Sequence, residues 1–353
     1  LRADRLSAFG YPRETTPNLD DLANNGRVFP NTYAQSNHTP RSMPSIFSGR
    51  YPSEIPWKNP GANYPAIADS ALLIGEFFSE QGFDTTAITE HHYFKPKRNI
   101  RQGFRLWDNG DGDQQSIKNS NRIATAPRIT DRSKALLDTL SESEQPFFLF
   151  VHYSDPHGDY IRHPKPWRFG KSIQDRYDGE VAYADHHVGR LIKHLDALRL
   201  TASTAVFVLS DHGEAFGEHR FHFHGHTLFE EEIRVPLIIA GPGVVPGTNT
   251  SRVRLVDILP TAADLFGLGA ALPGDLPGRS LMPALRGQDL PPQSVYSQLL
   301  PYPNWPEEQH VLISQNLKIL YHRSRNLWML FDLSTDPGER NNLMRSHPEA
   351  KRL

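Results

Sequence analysis

The sequence predicts an α/β fold, a mostly parallel sheet sandwiched by helices with a small antiparallel sheet at the C-terminal end. Three observations carry this expectation. Short apolar or β-branched runs at 84–89, 147–152, 205–210 and 235–240 alternate with stretches of helical period. The runs at 147–152 and 205–210 are continuously apolar, as in strands buried on both faces, and each ends in polar residues, where open α/β sheets place ligand chemistry. Beyond about residue 303 the pattern turns to alternation, at 311–321 and 328–333, as expected of antiparallel strands.

In chain order, residues 17–25 read as a short helix with Pro17 early and Gly26 after it, and 28–33 as a strand. Thr39 then stands near a helix N-terminus, where unpaired N–H groups suit an alkoxide and an anionic substrate. Pro40 and Pro44 both favour a first turn, which leaves the start of this helix open. Leu72, Leu73, Phe77 and Phe78 predict a helix over 70–81 leading into the strand 84–89. Residues 92–128 are polar. Within them Asn109, Asp111 and Asp113 could open a calcium loop, but the glycine and closing glutamate places fall on Gln114 and Ser120, so the stretch reads as a turn without function. Helices are expected at 129–140, at 178–195 with His186 and His187 on its surface, and at 255–265. Proline and glycine thicken between 267 and 303, dividing a domain at 1–270 from a linker and small α+β subdomain at 271–353.

The 353 residues suffice for a large core, and a formal charge of −2 gives no sign of nucleic-acid binding. There is no cysteine and no apolar run long enough to span a membrane. Among 17 histidines, those at 212, 219, 222, 224 and 226 cluster beside Asp211 in a pattern suited to a metal or an anionic ester.

Several blocks resemble the sulfatase family of the alkaline phosphatase superfamily: Leu1-Arg2-Ala3-Asp4-Arg5-Leu6 with Gly10-Tyr11 and Thr15-Thr16-Pro17-Asn18-Leu19-Asp20-Asp21-Leu22-Ala23, then Ser210-Asp211-His212-Gly213-Glu214, Glu230-Glu231-Glu232-Ile233-Arg234-Val235-Pro236, and Asp332-Leu333 with Asp336-Pro337-Gly338-Glu339-Arg340. The resemblance covers nearly the whole chain and implies an alkaline-phosphatase-like fold. Counted back from Ser48-Gly49, Thr39 falls where sulfatases carry the formylglycine precursor. Thr39, Ser42 and Pro44 also match the Thr-x-x-Ser-x-Pro pattern of phosphoethanolamine transferases, whose threonine is the nucleophile. A rival reading through Ser42, Pro44 and Ser45 puts Gly49 three residues too close. Without cysteine, no formylglycine is expected.

The resemblance implies that Asp211 and His212, with Thr39, bind a divalent metal; carboxylate plus imidazole favours zinc or manganese over calcium or magnesium. It makes His157 the candidate general acid, His224 a substrate or second-metal histidine 12 residues after His212, and His226 its rival; Arg41 is a weaker candidate oxyanion clamp, expected to be exposed. It also places an acidic metal ligand on a strand just upstream of Leu1, with Asp4 structural, so the chain reads as a segment of a longer protein. The expected activity is metal-dependent hydrolysis of phosphate or sulfate esters through a covalent Thr39 intermediate. The alternatives are the phosphoethanolamine or phosphoglycerol transferase domain of a membrane enzyme and an inactive binder of anionic ligands. The substrate would be a sulfated or phosphorylated glycan, lipid headgroup or small molecule, read by loops at 52–68, 92–128 and 159–176. The resemblance favours a periplasmic or otherwise extracytoplasmic place, with an anchor upstream as one route to it.

Overall fold

A computed structural model describes residues 1–116 and 123–351; Ser120 and its neighbours in the polar stretch, and so part of the expected substrate-reading loop, lie outside the described residues. The elements are α1 (Pro17–Asn24), β1 (Gly26–Val28), β2 (Thr32–Tyr33), α2 (Thr39–Ser48), α3 (Ile74–Glu80), β3 (Asp84–Ile88), β4 (Leu106–Asp108), α4 (Ala126–Ser141), β5 (Phe147–Val151), α5 (Ile173–Ala197), β6 (Val206–Leu209), β7 (Ala215–Phe216), β8 (His222–Phe223), α6 (Glu230–Ile233), β9 (Arg234–Val235), β10 (Leu237–Ala240), β11 (Gly247–Thr248), β12 (Val253–Arg254), α7 (Ile258–Leu265), α8 (Met282–Leu285), β13 (Val295–Leu299), β14 (Gln309–Ser314), β15 (Leu317–His322) and β16 (Leu327–Asp332).

The core strands pair in parallel in β3–β4, β3–β5, β1–β11 and β2–β12. The antiparallel exceptions β1–β10, β10–β6 and β2–β9 all involve the segment 234–240. The tail forms the expected antiparallel sheet, β13-β14-β15-β16 in chain order. Lys318 on β15 is fully buried and lies 3.1 Å from Glu230 and 2.8 Å from Glu339, which ties this sheet to α6.

Buried carboxylates set several helix starts. Asp185 on α5 accepts the amides of Asn18 and Leu19 at the beginning of α1. Asp155, after β5, accepts the amides of Thr125 and Ala126 and the Thr125 hydroxyl, so the end of a strand is bolted to the start of α4. Glu76 accepts the Leu73 amide, which begins α3 at Ile74 rather than at residue 70 as expected.

Other expectations need correction. The strand expected at 28–33 is two short strands broken around Pro30, and that at 235–240 is split at Pro236, since proline cannot donate to a ladder. Strands β5 and β6 are half-buried rather than enclosed on both faces. Among the described residues each pairs on one edge only, with β3 and β10, and between them lies a cavity of about 670 Å³ lined by Phe148, Phe150, Phe207 and Leu209 among others. His187 is buried, not on the helix surface; its carbonyl accepts from Thr130. No helix among the described residues is long and apolar enough to cross a membrane.

Candidate active site

Helix α2 begins at Thr39, with His38 as an extended N-cap residue, and retains Pro44 in its interior. A mid-helix proline ordinarily costs about 3 kcal/mol. Here Pro44 is buried, and the Ser45 and Ser48 hydroxyls donate to the carbonyls of Arg41 and Pro44. The helix is therefore not confined to a start after the second proline, and Thr39 sits in its first turn, facing the residues that follow β6.

Those residues are Asp211 and His212. The turn is held against α6 by amide bonds from Gly213 to Glu232 O and from Glu214 to Glu231 O, so close that a Cβ on Gly213 would lie 2.1 Å from the Glu231 oxygen. His212 Nδ1 lies 2.8 Å from the Gly213 carbonyl, which can only accept. The ring proton is therefore on Nδ1, and the Nε2 lone pair faces Thr39 Oγ1 at 3.3 Å and Asp211 Oδ2 at 3.6 Å. Burial lowers the pKa of His212. Asp211 is held below the usual carboxylate range, because the pull of His212 and His152 outweighs its burial. The Ser42 hydroxyl donates to the Asp211 carbonyl, so this rival for the nucleophile is engaged in holding the turn.

The other titratable groups form a ring around this trio. The His224 ring is 4.3 Å from that of His212 and 5.2 Å from that of His157, and its Nδ1 donates to Glu214 at 3.2 Å. Glu214 raises the pKa of His224 against the effect of burial, whereas burial pushes His157 down to about 3. Burial therefore makes His157 the weaker base of the two, and Glu214 leaves His224 the more basic imidazole. The His157 amide donates to Glu180 at 3.1 Å, and Ile161 donates to the other oxygen at 2.6 Å.

His226 does not join the ring; two residues beyond His224, it lies on Phe221, so the structure sets His224 rather than His226 against His212. Of the other clustered histidines, His219 bonds Glu231 and the Glu339 carbonyl, and His222 is exposed. Arg41 is buried, at 3% exposure, rather than exposed as expected: its guanidinium lies over Trp57 and Tyr302, and its Nε and Nη1 have no hydrogen-bond partner.

Several contributors escaped the sequence reading. His91 is buried with its ring 5.1 Å from that of His157; its Nδ1 accepts from Tyr93, so the proton is on Nε2, which has no partner. It follows the end of β3, and the strand-end rule that picked out 153–158 and 211–212 would have found it. Glu180 and Glu232 act from a distance. Glu232 accepts from Gly225, His226, Asn37 and Thr227, which fixes the loop bearing His224. Long-range pairing of this kind leaves no local pattern.

Asp211, His212 and Thr39 converge as carboxylate, imidazole and hydroxyl donors, with Asp211 Oδ2 buried and without a hydrogen-bond partner. This donor set fits a divalent cation but is short of a full set; no group of three or more His, Asp or Glu suited to a metal occurs among the described residues.

Residues 1–268 match the sulfatase family, and 217–352 match the family described as N-sulphoglucosamine sulphohydrolase, C-terminal. A Formosa agariphila ulvan-active sulfatase is 24% identical, the match covering 99% of this chain and 76% of the relative. The structure of BT4656 in complex with D-glucosamine-2-N,6-O-disulfate superposes with a TM-score of 0.79 at 20% identity, over 99% of this chain and 92% of the other. A phosphonate monoester hydrolase from Silicibacter pomeroyi superposes with a TM-score of 0.81 at 19% identity, over 100% and 91% of the two chains. With the family match spanning three quarters of its length, the chain belongs to the sulfatase family, ester hydrolases of the alkaline-phosphatase-like superfamily.

Proposed function

We propose that the protein hydrolyses a sulfate or phosphate ester carried by a saccharide, with Thr39 as the covalent nucleophile. The observation that carries this reading is the Thr39 hydroxyl in the first turn of α2, 3.3 Å from the unprotonated nitrogen of His212. The ulvan-active relative and the disulfated glucosamine bound to BT4656 both point to sugar sulfates. The same relatives favour hydrolysis over headgroup transfer.

In this reading the Thr39 hydroxyl releases its proton to solvent water as Oγ bonds to sulfur or phosphorus, and the bond from that atom to the ester oxygen breaks as that oxygen takes up a proton. His224, whose basicity Glu214 raises, is the proton donor, and His157 and His91 offer further N–H groups to the ester oxygens. Arg41, with two buried unpartnered nitrogens, Nε and Nη1, supports anion binding at the same end of α2. Water then cleaves the adduct, releasing inorganic sulfate or phosphate and restoring the hydroxyl. Asp211, His212 and Thr39 would hold a divalent cation, which supplies charge neutralisation at the ester. An acidic group entering between β5 and β6, where the cavity reaches Asp211, would complete its donor set.

Threonine is a secondary alcohol, whose oxidation would give a ketone and not the aldehyde of formylglycine, so the unmodified side chain is the reacting species. Peptide mass spectrometry after incubation with manganese or zinc and a panel of sugar sulfates and phosphates tests this. An adduct on the Thr39 peptide, absent from Thr39→Ala, is expected. Turnover undiminished in Thr39→Ala would overturn the assignment.

A further inference from the structure

The connection between β13 and β14 turns back on itself at Tyr302 and Trp305, whose backbones exchange hydrogen bonds of 2.7 and 2.9 Å. Its two aromatic residues face different surroundings. Tyr302 is buried with its hydroxyl on His38 Nε2, next to the nucleophile, whereas Trp305 is 40% exposed. The Trp305 ring lies 5.0 Å from that of His226 at 39°, and His226 in turn stacks on Phe221 at 5.5 Å and 17°. His226 is fixed at both ends of its peptide: its amide donates to Glu232 and its carbonyl accepts from Gln309 at 2.8 Å.

Gly225 joins this aromatic row to the active site. With φ at +87°, it favours glycine, and a Cβ there would lie 3.8 Å from His38 Cβ and 3.9 Å from Trp305 Cζ2. A side chain here would sit in contact with both, between the start of α2 and the indole edge. An exposed tryptophan beside a site otherwise lined with imidazoles and carboxylates leaves apolar area in water that a ligand could cover.

We infer that the exposed face of Trp305, backed by His226 and Phe221, forms a platform for the sugar ring adjacent to the one that bears the ester. The inference rests on the proposed saccharide esterase reading and specifies where its substrate extends. The chemistry is that of an aromatic face, negative at its centre, against the C–H bonds on one face of a pyranose, while the sugar hydroxyls remain in water. An acyl chain would call for an enclosed groove, and the row is open.

The test compares the wild type, Trp305→Ala and Trp305→Phe on a monosulfated tetrasaccharide and on the corresponding sulfated monosaccharide, following sulfate release. Trp305→Ala should raise KM for the tetrasaccharide about three- to tenfold with kcat retained, leave the monosaccharide within twofold, and be largely rescued by Trp305→Phe. Equal effects on both substrates, or none on either, would overturn the platform. If the wild type releases no sulfate from either sugar, the esterase reading fails for these two esters alone, and calorimetric titration of the tetrasaccharide into the same three proteins then decides the platform. Binding weakened by Trp305→Ala and restored by Trp305→Phe supports it, and absent or unchanged binding overturns it.

Discussion

The Thr39 hydroxyl lies 3.3 Å from His212 Nε2, the ring nitrogen left without a proton because Nδ1 is committed to the Gly213 carbonyl. The contact joins the first turn of α2 to the end of β6, and it is the point at which the proposed nucleophile and the proposed cation site meet. Thr39→Val keeps the shape and removes only the oxygen. It should lower kcat by on the order of 10³-fold or more. Stability should change by no more than about 1 kcal/mol, because the lost hydrogen bond is single and weak. Thr39→Ser should retain activity. Steady-state kinetics and urea unfolding of the three proteins check this, and a Thr39→Val enzyme with wild-type kcat would exclude the role.

Asp211 offers a second handle on the same contact. Its Oδ2 is buried without a hydrogen-bond partner. Chelation should abolish activity and manganese or zinc should restore it, while Asp211→Asn should raise the half-activating metal concentration by at least about 10- to 100-fold. The measurement is activity against free metal after dialysis with chelator. Activity indifferent to chelator would remove the cation from the proposal.

How much of this was legible in the sequence depended on the range of the interaction. Thr39, Asp211, His212 and His157 each follow a strand or open a helix, and periodicity places such ends well. The mostly parallel order was legible for the same reason, but the antiparallel segment 234–240 was not, because a ladder's direction depends on a partner far along the chain. Arg41 was expected in solvent because charged residues usually are; its burial between Trp57 and Tyr302 depends on residues 16 and 261 positions away in sequence. Glu180 and Glu232 were invisible as site residues for a related reason. Each works by accepting backbone N–H groups from a loop whose path no local pattern reveals.

Glu180 also predicts a pH dependence of stability. Burial, aided by the nearby Asp155, pushes its carboxyl up to about 8. A carboxyl with a folded pKa above its unfolded value keeps its full contribution below the unfolded pKa, near 4.5, and loses it as pH rises through the folded pKa. Urea unfolding should therefore show stability falling between about pH 5 and 8, at roughly 1.4 kcal/mol per unit of pKa difference as an upper limit. Glu232, raised to about 7 by burial, adds its own slope, so the diagnostic quantity is the difference between wild type and Glu180→Gln. The variant should be flatter with pH. It should also lose activity, since a glutamine has one acceptor oxygen for the two amides of His157 and Ile161. Parallel pH curves for the two proteins would refute the assignment.

The C-terminal sheet is held to the catalytic part through a buried ion cluster, and its removal has a directional consequence. Lys318 is fully buried between Glu230 and Glu339, and those two carboxylates keep its ammonium charged against the effect of burial. Lys318→Met fills similar volume but leaves the carboxylates facing each other without a cation. Breaking a buried pair in this way costs about 3–5 kcal/mol. The double variant Lys318→Met with Glu339→Gln removes one of the stranded charges and should recover part of that loss. The loop bearing Tyr302 and Trp305 springs from the same sheet, and Glu230 lies two residues before Glu232, so partial loosening should also weaken substrate binding before the protein unfolds. Denaturant titrations of the single and double variants, paired with KM for a sugar sulfate, check both parts. A Lys318→Met protein as stable as the wild type would show that the cluster does not secure the sheet.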